Sequence, residues 1–456
     1  MKKYKRLTKN IIVILALAVG FTFAVPAYSF GTTTEPTLVA DAALLIDMTT
    51  GRVLYEKNAD KREFPASTTK IMTCLLALEN LDMMGRITAD EEAAATGGNS
   101  MNLKADEWIN TGIMVSAMMV ISGNDAAVAV AKEISGSVAD FAELMNKRAK
   151  ELGMTDTHFV NPHGLHDEEH YTTARDLATL AQYCMQNEVF RRIVSRAEFT
   201  VPVTNITLAE RHYYNTNLLL NDTNPNNRVY VNGELRDCKY DGCIGIKTGY
   251  TNAAGGCLVA AAERDGTTLL SVVLKSGSME RFSDSITLLD WGFENYKTET
   301  ILETGWLAGS VKVKHGKEGS VDAILPVDAI ITLPSESSKE VITTQTELYD
   351  KVEAPVMTGD KVGTLKLLRV DKVMAEYDLV AGSDVEKGTG NWVFTMLKII
   401  GVIILVLVLI VAIWIIQERR AAKKRRAARE ERRKQREAEE IIKREEWEKN
   451  YKNRYR

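Results

Sequence analysis

The chain has 456 residues, enough for two or three domains with a sizeable core. Its formal net charge of −4 conceals an uneven distribution: residues 30–390 hold 34 Lys and Arg against 52 Asp and Glu, whereas residues 417–456 hold 17 against 9. The acidic central segment argues against nucleic acid and other anionic polymers as its partners, and five cysteines at irregular spacing with no CxxC pair argue against a disulfide framework or a zinc site.

Residues 1–10 carry Lys2, Lys3, Lys5, Arg6 and Lys9 and no acid. An apolar run from Ile11 to about Ala24 follows, then small residues at Ala27 and Ser29. That is the layout of a secretory signal peptide, assigned to residues 1–29. Residues 38–58 alternate apolar and polar around Thr49-Thr50-Gly51, which predicts a β-hairpin. Pro65 opens an apolar helical stretch through Leu81. Helical spacing recurs at about 111–121, 124–134 and 138–152, and Thr173-Ala174-Arg175-Asp176 reads as a capping box starting another helix. Residues 257–263 and 267–275, joined by Arg264-Asp265-Gly266, predict a second hairpin, and a helix follows near 279–295. Helices between two groups of strands imply a mixed α/β domain with an antiparallel sheet, here bounded at 36–296.

After Tyr296 the texture changes to short Val/Ile/Leu/Thr strands punctuated by Gly, Pro and Asp, which predicts a small all-β domain over 297–385. Ile399–Ile416 is an unbroken apolar run, bracketed by Trp392 and Trp414, so residues 392–416 are expected to cross a membrane as a helix. Arg419, Arg420, Lys423, Lys424, Arg425, Arg426 and Arg429 follow at once. Basic residues beside a span stay on the cytoplasmic side, so residues 417–456 form a basic cytoplasmic tail and the domains before the span lie outside. Cys238 and Cys243 are near enough in sequence to bridge.

Three short elements carry candidate chemistry. In Pro65-Ala66-Ser67-Thr68-Thr69-Lys70, Ser67 falls in the first helical turn with Lys70 three residues on, on the same face. Burial and the positive end of the helix dipole both disfavour an ammonium there, so a neutral Lys70 can take the Ser67 proton. Ser122-Gly123-Asn124 sits at the tip between two helices, where Ser122 can relay a proton and the Asn124 amide can hold a peptide carbonyl. Lys247-Thr248-Gly249 precedes the predicted strand at 257–263; its cation and hydroxyl suit a substrate carboxylate, and Gly249 allows close backbone approach. The N–H groups of Ser67 and Tyr250 are candidate oxyanion donors. Two of the motifs have a decoy: Ser100-Met101-Asn102 also matches Ser-x-Asn, and Lys275-Ser276-Gly277 also matches Lys-[Ser/Thr]-Gly.

In this order the three elements resemble those of penicillin-binding proteins and serine β-lactamases. The segments DAALLIDMTTGRVLYEKNADKREFPASTTKIMT, ISGNDAAVAVA, ELGMTDTHFVNPHGLHDEEHYTTARDLATLA and GIKTGYTNAAGGCLVAAAERDG are similar to the low-molecular-mass D-Ala-D-Ala carboxypeptidases over about residues 38–296, and residues 354–382 look like that family's C-terminal β domain. The resemblance favours Ser122–Asn124 and Lys247–Gly249 over their decoys. It implies a transpeptidase/β-lactamase-like fold and a cofactor-free serine DD-carboxypeptidase acting on peptidoglycan stem peptides. Ser67 is then nucleophile, Lys70 base, Ser122, Asn124 and Lys247 the surrounding network, and Thr248 the carboxylate grip, with Gly249 and Tyr250 beside it and Arg281 a possible helper. β-Lactam antibiotics would acylate Ser67. The spanning helix and long basic tail depart from the family's usual amphipathic anchor.

Other readings are weaker. A DD-endopeptidase would use the same residues. A class A β-lactamase needs a deacylating glutamate, and Glu143-Leu144-Met145-Asn146 has the wrong spacing on an apparently regular helix. His166-Asp167-Glu168-Glu169-His170 matches a zinc-hydrolase pattern, but Pro162 and Gly164 precede it and it reads as a polar loop without the helix that pattern requires. A non-catalytic scaffold would leave the Ser67–Lys70 pair without a purpose.

Overall fold

In the computed structural model residues 35–454 are described, apart from 222, 223, 225 and 389; the expected signal peptide lies outside the described residues. Ala42–Asp47 (β1) is buried at every position because it lies inside an antiparallel sheet covered on both faces. Its partners are Val53–Lys57 (β2), Cys243–Thr251 (β3), Gly255–Arg264 (β4) and Thr267–Ser276 (β5), in the order β2-β1-β5-β4-β3. Strand periodicity divides the side chains between two cores. Ala42, Leu44 and Ile46 of β1, Val259 and Ala261 of β4, and Leu270, Val272 and Leu274 of β5 face one core. Ala43, Leu45, Leu258, Ala260, Ala262, Leu269 and Val273 face the other.

The first core is filled by helices Lys70–Asn80 (α1), Thr111–Ile121 (α2), Asn124–Ser135 (α3), Val138–Glu151 (α4), Ala174–Cys184 (α5) and Glu188–Val194 (α6). Glu280–Asn295 (α7) covers the second through Phe282, Ile286, Leu288 and Leu289. Both predicted hairpins and the predicted helices are present, with one local difference at each of three places. Lys247–Gly249 lies inside β3, a strand that Gly245 and Gly249 obscure in the sequence. Ala66–Thr69 is a 3-10 turn and α1 begins only at Lys70, because Ala66 has φ +47°, which no α-helix admits. Thr173 does cap α5, accepting from Asp176 N–H at 3.0 Å, but the Asp176 carboxylate turns to Asp156 N–H (3.0 Å) and Thr157 Oγ1 (2.7 Å) rather than completing the box.

The chain forms two compact units. The first runs to Leu302 and includes Ala329–Ile342, where strand Tyr296–Leu302 (β6) pairs with Ala329–Pro334 (β9). The second holds Leu307–Lys314 (β7) and Ser320–Ile324 (β8), followed by Ile342–Leu348 (β10), Lys351–Glu353 (β11), Lys361–Arg369 (β12) and Lys372–Ala381 (β13). These six form one sheet in the order β10-β12-β13-β8-β7-β11, with β7 and β11 parallel. Gly390–Arg454 (α8) is one continuous helix whose described apolar residues are exposed, and it is long and apolar enough to cross a membrane. No disulfide joins Cys238 and Cys243; the Cys243 thiol donates to Gly245 C=O at 3.5 Å.

Asp284 of α7 ties the start of the sheet to the helix. It accepts from the N–H groups of Val39 and Ala40 (2.9 Å each) and from Ser276 Oγ (2.6 Å) while almost fully buried. Asp284→Ala is expected to cost about 3 kcal/mol, since it removes the acceptor of three donors, those of Ala40 and Ser276 buried, and Asp284→Asn less, as read from urea denaturation.

Candidate active site

Ser67 stands on the 3-10 turn and Lys70 is the first residue of α1, so the two side chains project from adjacent positions of one turn. Lys70 is fully buried. Its Nζ lies 3.0 Å from Ser67 Oγ, 2.7 Å from Asn124 Oδ1 and 2.8 Å from the His163 carbonyl. Asn124 Nδ2 donates to Gly97 C=O at 2.8 Å, which fixes Oδ1 toward the lysine. Burial holds the Lys70 pKa well below the ordinary lysine range; repulsion from Lys247 adds to this and Asp125 opposes it. A neutral amine has two hydrogens and one lone pair. Asn124 Oδ1 and His163 O are acceptors only, so they take both hydrogens and leave the lone pair aimed at the Ser67 hydroxyl. Ser67 Oγ has a second, longer contact with His163 O at 3.4 Å.

Ser122 ends α2 in the left-handed conformation (φ +66°, ψ 36°), and Asn124 begins α3 two residues later. This conformation costs a non-glycine residue about 1 kcal/mol or more and marks a position held by its surroundings. The Ser122 hydroxyl is buried with no hydrogen-bond partner among the described residues. Asp125 secures the loop opposite: it accepts from Ser100 Oγ (2.5 Å), Met101 N–H (3.0 Å) and Leu103 N–H (3.0 Å).

The third element comes from β3, at the edge of the sheet. Gly249 faces the Ser67 turn; a Cβ there would lie 2.9 Å from Pro65 O and 3.0 Å from Ser67 N, so only glycine lets the strand approach this closely. Lys247 is buried, its Nζ donating to Thr248 C=O at 3.1 Å. Burial, helped by Arg281, lowers its pKa to about 7. Thr248 Oγ1 is 2.6 Å from Thr216 Oγ1, and Thr216 N–H donates to Val120 C=O at 3.0 Å, which links the strand to the end of α2. Tyr250 is 51% exposed at the strand's rim. Buried Nε and Nη1 of Arg281 lack partners among the described residues.

Both decoys have structural partners instead. Ser100 serves Asp125, Lys275 pairs with Asp41 and Glu63 at 3.5 Å each, and Ser276 serves Asp284. Glu143 is exposed on α4. Residues 166–170 form no helix: His166 packs edge-on against Phe64, while His170 is buried with Nε2 2.8 Å from Thr69 Oγ1. The sequence reading missed the His163 carbonyl and Thr216. His163 stood in a quoted segment, but a backbone acceptor leaves no side-chain signal, and Thr216 lies in a stretch without periodicity.

Residues 30–278 match the D-alanyl-D-alanine carboxypeptidase family, and residues 296–387 match the penicillin-binding protein 5 C-terminal domain. The D-alanyl-D-alanine carboxypeptidase DacF of Bacillus subtilis is 33% identical over 395 residues, which cover 84% of this chain and 95% of that protein. The D-alanyl-D-alanine carboxypeptidase DacC of Escherichia coli is 31% identical over 394 residues, covering 83% and 93%. The crystal structure of penicillin binding protein 5 from Haemophilus influenzae superposes with a TM-score of 0.64 at 30% identity, covering 78% of this chain and 99% of that one.

The two buried lysines make a measurable prediction. Arg281→Ala removes a like charge, so the Lys247 pKa is expected to rise from about 7, staying below that of an exposed lysine because burial remains the larger cause. NMR titration of isotope-labelled lysine side chains checks the direction.

Proposed function

The chain belongs to the D-alanyl-D-alanine carboxypeptidase family, and we propose that it removes the terminal D-alanine from peptidoglycan stem pentapeptides through an acyl-enzyme on Ser67. The observation that carries this is the placement of Lys70 Nζ, with both amine hydrogens engaged and 3.0 Å from Ser67 Oγ.

Ser67 Oγ attacks the carbonyl carbon of the penultimate D-alanine and passes its proton to Lys70. Asn124 holds the lysine on one side and substrate amide on the other. The oxyanion is received by the N–H groups of Ser67 and Tyr250. As the C–N bond breaks, the proton reaches the departing amine of D-alanine through Lys70 and the unpartnered Ser122 hydroxyl. Water then attacks the ester, returning a proton to Ser67 and releasing the shortened stem. The terminal carboxylate sits against Thr248, with the positive charges of Lys247 and Arg281 behind it; Gly249 leaves room for its backbone. Penicillin, a mimic of the same dipeptide, acylates Ser67 and leaves slowly.

The domain assignment that accompanies this reading is a serine DD-peptidase domain over 36–296, an all-β domain over 297–385, a span over 392–416 and a tail over 417–456. Two features support an extracytoplasmic catalytic domain on a single-pass anchor: the apolar stretch of α8 and the cluster of Arg and Lys immediately after it.

D-Alanine release from a stem pentapeptide ending in D-Ala-D-Ala is the test. The purified chain is expected to release it, and Ser67→Ala to lose at least about a thousandfold in rate. A folded wild-type chain that releases none would refute the reading.

A further inference from the structure

No histidine side chain takes part in the reaction above, yet that of His170, in the loop whose His163 carbonyl holds Lys70, is connected to the nucleophile's turn. His170 is 2% exposed. Its Nδ1 accepts the Val160 N–H at 3.1 Å, which places the ring proton on Nε2. Nε2 therefore donates to Thr69 Oγ1 at 2.8 Å, and Thr69 Oγ1 donates to the Ala66 carbonyl at 2.8 Å. The relay ends on the peptide that joins Ala66 to Ser67.

That peptide needs holding. Ala66 has φ +47°, a left-handed conformation costing a non-glycine residue about 1–2 kcal/mol, and such a residue persists only where its surroundings over-determine it. Gly164 packs closely on the same carbonyl and on Thr69: a Cβ there would lie 1.8 Å from Ala66 O and 2.9 Å from Thr69 Oγ1. The ring itself is fixed by Phe159, packed edge-on with centroids 5.5 Å apart. Thr69 is also the residue directly before Lys70, on the same short segment as Ser67.

We propose that His170 is a positioning residue for this reaction: through Thr69 it locks the Ala66 carbonyl and so sets the direction of Ser67 Oγ toward Lys70 Nζ. The inference rests on the acyl-enzyme reading of Ser67. Burial lowers the His170 pKa to about 4; Asp167 opposes this, while His158, His166 and Lys70 add to it. The imidazole thus stays neutral around pH 7 and keeps its donor and acceptor in the arrangement the relay requires.

The test is the rate constant for acylation of the full chain in detergent by a fluorescent penicillin near neutral pH, normalised to folded protein, with the melting temperature measured alongside. His170→Phe keeps the volume but removes the donor, and Thr69→Val removes the hydroxyl without touching the ring. Each is expected to slow acylation about tenfold or more, a loss in keeping with misplacement of a reacting atom. His170→Gln, whose side-chain amide can donate to Thr69, is expected to recover to within about threefold of wild type. The double variant is expected to be no slower than the slower single one, because both changes cut the same relay. Wild-type acylation in both His170→Phe and Thr69→Val, with only the melting temperature lowered, would overturn the proposal, as would losses that multiply in the double variant. A wild-type chain that penicillin does not acylate would overturn the acyl-enzyme reading and this inference with it. That result is distinct from a fast wild type whose variants are equally fast.

Discussion

Everything at this site depends on an amine that is kept out of water. Lys70 has no exposed surface, and its Nζ is met by two oxygen acceptors and one serine hydroxyl. An ammonium in that position would be buried away from solvent, with no carboxylate hydrogen-bonded to it among the described residues. The same burial that makes the lysine costly to charge makes it useful, because only the neutral amine has a lone pair to offer Ser67. A second lysine, Lys247, works in the same direction by repulsion, and Asp125 only partly offsets it. Asp125 spends its hydrogen-bonding capacity on the Ser100–Leu103 loop rather than on the lysine.

The fold supplies this environment from three directions. The turn before α1 carries Ser67 and the first residue of α1 is Lys70; the α2–α3 tip brings Asn124; and the edge strand β3 closes against the turn at Gly249. Two of these supports are themselves strained, Ala66 at φ +47° and Ser122 at φ +66°. Strained residues at a site imply rigid surroundings, here the doubly covered sheet and the helical layer packed on it. Arg281 is buried with Nε and Nη1 unpartnered among the described residues and near enough to Lys247 to repel its charge.

Much of this could be read in the residues, and the exceptions have physical causes. The hairpins, helices α2 to α4 and α7 follow from periodicity, since each presents one apolar face or two to a core. Strand β3 was harder: Gly245 and Gly249 interrupt its pattern because the strand must pass close to Val194 and to the Pro65–Ser67 turn. The start of α1 was misplaced because nothing in Pro65-Ala66-Ser67 announces a left-handed alanine; its carbonyl is contacted by Thr69 later in the same turn and by Gly164 from a distant loop. Spacing alone could not separate Ser122–Asn124 and Lys247–Gly249 from Ser100–Asn102 and Lys275–Gly277. The resemblance prefers the first pair, and in the structure Ser100, Lys275 and Ser276 are engaged by Asp125, by Asp41 and Glu63, and by Asp284. His163 contributes a carbonyl and Thr216 a single hydroxyl, and neither leaves a pattern in sequence.

The measurement that bears most directly on the central claim is the pH dependence of Ser67 acylation by a β-lactam whose own charge is constant over the range. With Lys70 neutral by burial, the acylation rate is expected to be established at neutral pH and to fall only as acid protonates the amine, through a pKa well below that of an ordinary lysine. An acylation rate that stays negligible at neutral pH and rises only near the pKa of an exposed lysine, about 10.4, would show that Lys70 is an ammonium in the resting protein and would contradict the account.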